Sequence, residues 1–457
     1  MTSRITVVGL GPGDPSLRTL GTQAALVRAA RIVLRTRVHP GLADLQTDSR
    51  VSTCDDLYES QGTFAEVYRQ VVNRVFEVAA ATAGETVFAV PGHPRFGEQT
   101  VSLLIEEASK RGVTVDVLAA VSFLDVLAAS VVPDPLRSRL QLVDALDLQD
   151  VAAAEPFAGG ADAIDPARGC LVAQVYSRSV ASAVKLQLGR FYPDDHVVWV
   201  VTAAGVPGGE RIAACALWEL DRQPVDHLTS VWVPPLAALD AARSPHTLQR
   251  IAARLRAPDG CPWDRKQTHA SIRQAVIEEA YETVDAIDAD DPEELADELG
   301  DLLLQVALHS QIAEEAGAFT LEDVYEQVNR KLIRRHPHVF GEATALTAGE
   351  VVKTWDAVKA AERVAAGKPL KGATHPLADL PRSMPAIEKA RVLLGPRKGE
   401  REVTADADAD AIAASGATIL AAVEAAIAAG VDPEQALDRA LWTRFAATPQ
   451  AMETTRP

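Results

Sequence analysis

Two clusters of carboxylates constrain the fold of this chain more than any other feature: Glu278-Glu279-x-x-Glu282 and Glu298-x-x-Asp301. Apolar residues recur around both clusters at helical spacing, which predicts two helices with a break between Asp288 and Pro292. Asp291 is the predicted cap of the second helix, because Pro292 suits the first helical position and Glu294 the acidic position of a capping box. Residues three or four apart share a helix face, so the two acidic faces can meet in an antiparallel pair of helices.

Like charges at this spacing destabilise an isolated helix by roughly a few tenths of a kcal/mol per pair, so both clusters gain from a bound cation. Magnesium takes oxygen ligands and usually binds through a few carboxylates together with substrate phosphates. The alternative is a solvated acidic surface, which is common for single carboxylates. The apolar residues around the clusters, and the repetition on two successive helices, favour a magnesium site.

Length and composition limit the classes of protein to which the chain can belong. A chain of 457 residues predicts two or three domains, and a hydrophobic content of 47% is that of a globular protein. The formal net charge of −18 disfavours binding to nucleic acid or to acidic membranes. A polyanionic substrate therefore requires metal ions and a local basic patch.

The four cysteines are far apart and form no Cys-x-x-Cys pair, which disfavours both a structural zinc site and a disulfide framework. The first residues contain no basic segment followed by a long apolar one, and no run of about 18 apolar residues occurs. We therefore expect a cytoplasmic protein that is not exported and does not span a membrane.

The first half of the chain, from Ile5 to about Pro235, alternates short apolar runs with helical patterns, which predicts an α/β domain with a largely parallel sheet. The predicted strands comprise residues 5–8, 32–34, 86–90, 113–118, 171–174, 197–201 and 230–233. The predicted helices between them include residues 17–30, 64–81 and 99–110. The stretch 152–168, rich in Ala, Gly and Pro, is predicted to join two lobes.

A glycine turn, Gly9-Leu-Gly-Pro-Gly-Asp-Pro15, follows the first predicted strand. Such a turn at the carboxyl end of a strand lets a ligand approach the backbone, although a plain tight turn is the alternative. Together with Pro91-Gly-His-Pro-Arg-Phe-Gly97, Val121-Ser122 and the segment 229–235, it resembles the motifs of the tetrapyrrole (corrin and porphyrin) methylase family. The resemblance covers residues 1–236 and implies a two-lobed fold that binds S-adenosylmethionine between its lobes.

By their positions in these motifs, the resemblance implies four residues of the cofactor site: Leu10, His93, Phe96 and Ser122. His93 stands where many members of the family carry an acidic residue. Two alternatives remain open for this half of the chain. It is either an active methyltransferase, with the helical half as an accessory or dimerisation module, or a regulatory domain that transfers no methyl group.

Residues 237–245 form a predicted linker, and the pattern beyond them is helical throughout. A first helix is predicted at 246–256, the two acidic helices follow, and a fourth helix is predicted at 320–335. Thr347 and Glu350 form a predicted capping box for a fifth helix, which ends near Ala366.

The fourth and fifth helices carry cations and an aromatic ring at spacings of four, Lys331 with Arg335 and Trp355 with Lys359. Arg suits bidentate contact with phosphate, Lys supplies a compact charge, and an aromatic face can cover a base or a sugar. The alternative is surface ion pairing with Glu326 or Asp356. Because the acidic clusters occur in the same helical region, binding of a magnesium-bound phosphate ester is the better interpretation.

Five motifs follow one another between residues 261 and 359 and together resemble the MazG family of nucleoside triphosphate pyrophosphohydrolases: Cys261-Pro-Trp-Asp264 with Gln267-Thr-His269, the two carboxylate clusters, Lys331-Leu-Ile-Arg-Arg-His-Pro-His-Val-Phe340, and Trp355-x-x-x-Lys359. The resemblance implies magnesium ligation by Glu279, Glu282, Glu298 and Asp301. It implies nucleotide binding by Lys331, Arg335, Trp355 and Lys359. It also implies hydrolysis of a nucleoside triphosphate to the monophosphate and pyrophosphate, with Glu278 assisting Glu279 in catalysis.

Residues 367–457 can be aligned with the helical domain as a degraded second copy. The alignment replaces charged site residues by uncharged ones, so that Ala414, Ala417, Thr443 and Ala447 stand opposite Glu298, Asp301, Lys331 and Arg335. The helices are retained while the site chemistry is lost, so we predict a structural half that packs and supports a homodimer. The polar stretch 397–410 is predicted to be a loop.

The sequence therefore predicts a multidomain enzyme, with a methylase-like α/β domain at 1–236, a linker at 237–245, an all-α MazG bundle at 246–366 and its degenerate second half at 367–457. In the expected mechanism, two or more magnesium ions bridge the phosphates and lower the pKa of a bound water, while basic side chains offset the remaining charge. One alternative is an S-adenosylmethionine-dependent methyltransferase. Another is a non-catalytic helical module that binds a partner through its acidic face.

Overall fold

The computed structural model describes residues 4–59, 63–154, 164–345, 347–367, 376–394 and 409–446. The chain divides into two compact units, Met1–Ile312 and Ala313–Pro457. This division falls inside the domain predicted at 246–366, and the helix Pro292–Glu315 runs across it. The boundaries predicted at 236 and 366 therefore do not coincide with the division into compact units.

The first lobe is built on a five-stranded sheet in which every pair of strands is parallel, in the order β3-β2-β4-β1-β5. Its strands are β1 (Arg4–Gly9), β2 (Arg31–Leu34), β3 (Val51–Thr53), β4 (Thr86–Val90) and β5 (Thr114–Val117). Its helices are α1 (Leu20–Arg28), α2 (Asp55–Glu59), α3 (Phe64–Ala81) and α4 (Gln99–Arg111). The next helix, α5 (Phe123–Ser130), packs through Leu127 against Leu171, Val201 and Trp232 of the second lobe. Strand β4 is buried throughout, as expected of a parallel sheet that helices cover on both faces.

The second lobe contains a mixed sheet in the order β6-β7-β10-β8-β9, in which β6 and β7 form the one parallel pair. Its strands are β6 (Gln141–Asp144), β7 (Cys170–Ala173), β8 (Val197–Thr202), β9 (Arg211–Ala216) and β10 (Thr229–Val233). Its helices are α6 (Ala145–Ala154) and α7 (Arg178–Leu188). The predicted largely parallel sheet is therefore correct for the first lobe and wrong for the second.

The prediction that residues 152–168 join the lobes is also wrong. Strand β6 precedes this stretch and already pairs with β7 in the second sheet, so the chain passes between the lobes before Gln141. Residues 155–163 of the stretch lie outside the described part of the chain. The described residue Ile164 of this stretch is buried in the core of the second lobe with Val172 and Val198.

The connection at 237–245, predicted as a linker, is folded against the second lobe. Ala241 is fully buried, and Arg243 Nη1 donates to the carbonyl oxygen of Gly189 at 2.8 Å. In the following helix, α8 (Pro245–Arg256), Arg250 pairs with Asp165 at 3.5 Å. These contacts tie the first helix of the predicted helical domain to the α/β lobes.

The acidic helices are α9 (Arg273–Asp288) and α10 (Pro292–Glu315), so the predicted break between Asp288 and Pro292 is confirmed. Asp291 Oδ1 accepts from the backbone N–H groups of Glu293 and Glu294 at 3.0 and 3.1 Å, which satisfies two donors at the start of α10. A small buried core joins α8, α10 and the segment before α9, and it contains Ala252, Ile272, Ala307 and Leu308.

The second unit is helical in the residues that the structure describes. Its helices are α11 (Leu321–Arg335), α12 (Pro337–Phe340), α13 (Ala348–Ala365), α14 (Ala386–Leu394), α15 (Ala409–Ala428) and α16 (Pro433–Ala446). Capping boxes begin α11 at Thr320 and α13 at Thr347, the second of which the sequence predicts.

The segment predicted as a degenerate copy contains α15 and α16, which carry Ala414, Ala417 and Thr443. Ala447 and residues 397–408 lie outside the described residues. Among the helices of the described ranges, no single one has both the length and the apolar character of a membrane span, although the bent pair Ala413–Ala428 and Pro433–Phe445 meets both criteria together.

Candidate functional site

Three of the predicted magnesium ligands, Glu279 and Glu282 on α9 and Glu298 on α10, converge on one point. A carboxylate oxygen of each lies within 4.8 Å of the corresponding oxygens of the other two. Asp301, one turn further along α10, acts electrostatically on both Glu279 and Glu298. Glu278 is exposed and does not belong to the converging group of three.

The electrostatics of this cluster favour a cation. Burial raises the pKa of the Glu279 carboxyl, and the negative charges of Asp301 and Glu282 add to the shift. Burial and the charge of Glu282 likewise raise the pKa of Glu298. Oε2 of Glu298 is buried and accepts no hydrogen bond from the described part of the chain. An orphaned oxygen in a set of three crowded carboxylates fits a hard divalent cation, which prefers oxygen ligands.

The raised pKa values predict how stability changes with pH. A carboxyl whose pKa is higher in the folded state than in the unfolded state stabilises the fold when protonated, and this contribution is lost as the pH rises through the raised value. Glu298→Gln, which is neutral at every pH, is therefore expected to raise the melting temperature of the metal-free protein at pH 7. The increase should shrink near the ordinary Glu pKa of about 4.3.

Thermal melts in a chelator at several pH values measure this difference between parent and variant. Added magnesium should raise the melting temperature of the parent more than that of Glu298→Gln, because the ion binds the intact cluster in the folded state. A lower melting temperature for the variant at pH 7 in the chelator would contradict the repulsion inferred here.

In the second unit, the side chains of Arg335 and Lys359 both lie over the indole ring of Trp355. The Arg335 guanidinium carbon and the Lys359 ammonium are 5.6 and 5.5 Å from the ring centroid. The structure thus brings together three of the four predicted nucleotide-binding residues. Lys331 is exposed on α11, and it makes no cation–π contact with Trp355 among the described residues of the second unit.

Two residues of this cluster are missed by the sequence reasoning, Glu362 and His336. Glu362 accepts hydrogen bonds from Arg334 Nε and Arg335 Nη2, each at 2.6 Å. These two guanidinium groups hold the pKa of Glu362 at about 2. The ring of His336 contacts Trp355 edge-on, with 4.7 Å between centroids. The spacing of Trp355, Lys359 and Glu362, at i, i+4 and i+7, was the available signal that Glu362 shares their face.

Residues from both lobes of the first unit line a cavity of about 480 Å³. His93 and Phe96, two of the predicted cofactor-site residues, belong to its wall and contact each other edge-on. Leu10 and Ser122 do not belong to the lining. Leu10 is buried in the core of the first lobe, and the Ser122 hydroxyl caps α5 in a capping box with Asp125. The side chains of Leu10 and Ser122 thus lie behind the cavity wall, in the core and at the start of α5.

The two glycine loops are bonded directly to each other beside this cavity. Gly11 and Gly92 exchange backbone hydrogen bonds of 3.2 and 2.9 Å. His39, also in the cavity wall, lies between loops, because its Nε2 is 2.9 Å from the Gly11 oxygen and its Nδ1 accepts from Gly41 N at 3.1 Å. Burial lowers the pKa of His39, and the neutral Nε2–H tautomer satisfies both contacts.

Two pairs of polar side chains belong to the cavity wall. Arg35 is paired with the buried Glu98 at 3.0 Å. On the side of the second lobe, Gln174 Nε2 donates to Asp144 Oδ2 at 2.5 Å. Gln174 and Ala203, both lining residues, have φ values of 64° and 55°. Non-glycine residues in this left-handed region are uncommon and concentrate at functional sites, so the wall is consistent with a binding site.

Two family models match separate regions of the chain. The model of the tetrapyrrole (corrin/porphyrin) methylases matches residues 4–221, and that of the MazG nucleotide pyrophosphohydrolase domain matches residues 267–340. YabN of Bacillus subtilis is 39% identical over 396 residues, which are 86% of this chain and 77% of YabN.

The nucleoside triphosphate pyrophosphohydrolase/pyrophosphatase MazG of Thermotoga maritima is 47% identical over 144 residues, or 32% of this chain. The matched region spans 52% of that relative, so this chain covers about half of its length. The crystal structure of the methyltransferase CobJ aligns with 52% of this chain and 95% of CobJ, at 16% identity and a TM-score of 0.37.

Proposed function

The chain belongs to the family of YabN, in which a tetrapyrrole methylase domain precedes a MazG domain, and from this premise we propose that its MazG domain hydrolyses nucleoside triphosphates to the monophosphate and pyrophosphate with magnesium. The observation that carries the proposal is the convergence of Glu279, Glu282 and Glu298 within 4.8 Å, with one buried oxygen lacking a partner. Relatives of the matched region are named for this activity.

In this proposal the residues of the chain have separate tasks. Glu279, Glu282 and Glu298 would hold magnesium, with Asp301 adding negative charge beside them. Magnesium there would supply Lewis acidity toward phosphate oxygens and toward a bound water. Arg335 and Lys359 would offset phosphate charge, and the face of Trp355 would pack against the nucleotide. Glu278, exposed next to Glu279, would assist from the edge of the cluster.

A panel of ordinary and damaged nucleoside triphosphates, assayed for pyrophosphate with and without magnesium, tests the proposal. We expect pyrophosphate and the monophosphate as products, and no turnover in a chelator. Release of inorganic phosphate instead of pyrophosphate, or turnover without a divalent ion, would contradict it. A role in removing unwanted nucleotides from the cellular pool would appear as a preference for the damaged substrates.

A second candidate function is supported by the cavity in the first unit. Its volume of about 480 Å³ is within the range of roughly 300–1,000 Å³ usual for small-molecule sites. We propose that it binds S-adenosylmethionine, with His93 and Phe96 in its wall, as a methyltransferase or as a regulatory domain.

A third candidate is a non-catalytic helical module that binds a partner through its acidic face. This alternative predicts that magnesium has no effect on the stability of the protein.

We also propose a homodimer in a reducing, cytoplasmic compartment. Tyr281, Ile287 and Leu303, on the acidic helices α9 and α10, are each more than half exposed, at 58, 56 and 59%. Large apolar side chains left exposed on two successive helices favour association with a second copy. All four cysteines are free, which agrees with a reducing compartment.

A further inference from the structure

Arg335 uses two of its three guanidinium nitrogens to bind Glu362. Both Nε and Nη2 of Arg335 donate to the Glu362 carboxylate, at 3.3 and 2.6 Å. Nη1 makes no hydrogen bond within the described residues of the second unit. One edge of the guanidinium is therefore fixed to α13, while the remaining nitrogen keeps its donors for another partner.

The Glu362 carboxylate also holds the flat face of the Arg335 guanidinium over the ring of Trp355. Arg335 lies over Trp355, which is seven residues before Glu362 on the same face of α13. Lys359 lies over the same ring, and Arg334 also donates to Glu362. Without the carboxylate, the neighbouring guanidinium groups of Arg334 and Arg335 would lose the negative charge that both of them contact.

The ion pair between Arg335 and Glu362 is largely buried, and this restricts the orientation of the Arg335 side chain. The side chains of Arg335 and Glu362 are only 19 and 21% exposed, whereas that of Arg334 is 54% exposed. A charge-assisted bond between two long, largely covered side chains restricts the rotamers of both more than a surface pair does. Arg335 is thus held in one orientation before any ligand arrives, which lowers the entropic cost of binding.

We propose that Glu362 is a positioning residue, which orients Arg335 against Trp355 so that Nη1 can donate to a phosphate oxygen of the nucleotide. This inference rests on the proposed function of the MazG domain. A purely structural alternative is that Glu362 only fastens α11 to α13. The two differ because a positioning residue loses its effect on binding once Arg335 has been removed, whereas a structural one does not.

A double-mutant cycle on the full chain tests the inference, with the magnesium complex of α,β-methylene-ATP as the ligand and calorimetric Kd as the readout. Glu362→Gln is expected to weaken binding about tenfold, the effect of losing one charge-assisted hydrogen bond. Arg335→Ala should weaken binding at least as much, and the double variant should bind no more weakly than Arg335→Ala alone. Glu326→Gln, which removes a surface partner of Arg330 on α11, is the matched control and should bind like the parent.

Additive losses in the double variant would overturn the positioning role and leave the proposed function intact. Failure of the parent to bind the nucleotide analogue would overturn both, so the two failures are distinguishable. Circular dichroism and melting temperature verify that each variant folds. If Glu362→Gln does not fold, the same cycle with Glu362→Asp, which retains the charge on a shorter side chain, provides the measurement.

Discussion

Replacing Glu279 by Gln is expected to lower the kcat for pyrophosphate release by roughly a hundred- to a thousandfold, comparable to the loss of one electrostatic group from a preorganised active site. The amide keeps the shape of the side chain and removes one of three charges that converge within 4.8 Å. Magnesium binding weakens because a neutral oxygen attracts the ion less than a carboxylate does. Steady-state assays of pyrophosphate release at several magnesium concentrations measure the loss.

The fold should survive this substitution. Repulsion from Asp301 and Glu282 contributes to the raised pKa of Glu279, so a neutral side chain relieves like-charge repulsion in the metal-free protein. Glu293→Gln is the matched control, because Glu293 is exposed in the first turn of α10 and does not belong to the converging group. Its kcat should equal that of the parent. Pyrophosphate release by Glu279→Gln at the parental rate would exclude Glu279 from the active site.

Local rules were sufficient to predict the acidic helices. Helical spacing and the turn residues around Asp291 determine where α9 ends and α10 begins, and these signals are contained within a few residues. Helical spacing also predicts that the acidic faces of α9 and α10 lie against each other. Which carboxylates converge does not follow, because the motif alone cannot place Glu278 at the edge and Glu298 Oε2 in a buried position.

Contacts between distant residues escaped the sequence reasoning. Glu362 and Arg335 are far apart in the chain, and their pairing depends on the packing of α11 against α13.

Two short strands were not predicted from the sequence for a related reason. Strands β3 and β6 have three and four residues and are partly exposed, so their hydrophobic pattern is weak and their pairing partners decide their conformation. The antiparallel pairing in the second lobe likewise depends on tertiary packing.

Gly9→Ala is expected to destabilise the first lobe by about 3 kcal/mol, at the upper end of the cost of overpacking. A Cβ at this position would lie 2.3 Å from the Gly92 oxygen and 2.5 Å from the Ala120 Cβ, and backbone atoms cannot move aside as a flexible side chain can. The two glycine loops would separate, and the wall that includes His93 would move with them. Calorimetric titration with S-adenosylmethionine should therefore give heat with the parent and none with the variant.

Gly416→Ala is the matched control, because its Cβ would meet nothing within 4 Å in the middle of α15. Alanine there should raise stability by up to about 1 kcal/mol through its higher helix propensity and leave the binding of both ligands unchanged.

Hydrolysis of nucleoside triphosphates should persist in Gly9→Ala, because the carboxylate cluster lies on α9 and α10 with a separate small core. Loss of hydrolysis together with S-adenosylmethionine binding would show that the acidic helices depend on the intact α/β lobes. An unchanged affinity of Gly9→Ala for S-adenosylmethionine would place that ligand away from the glycine loops, and no heat from the parent would exclude it as the ligand of this cavity.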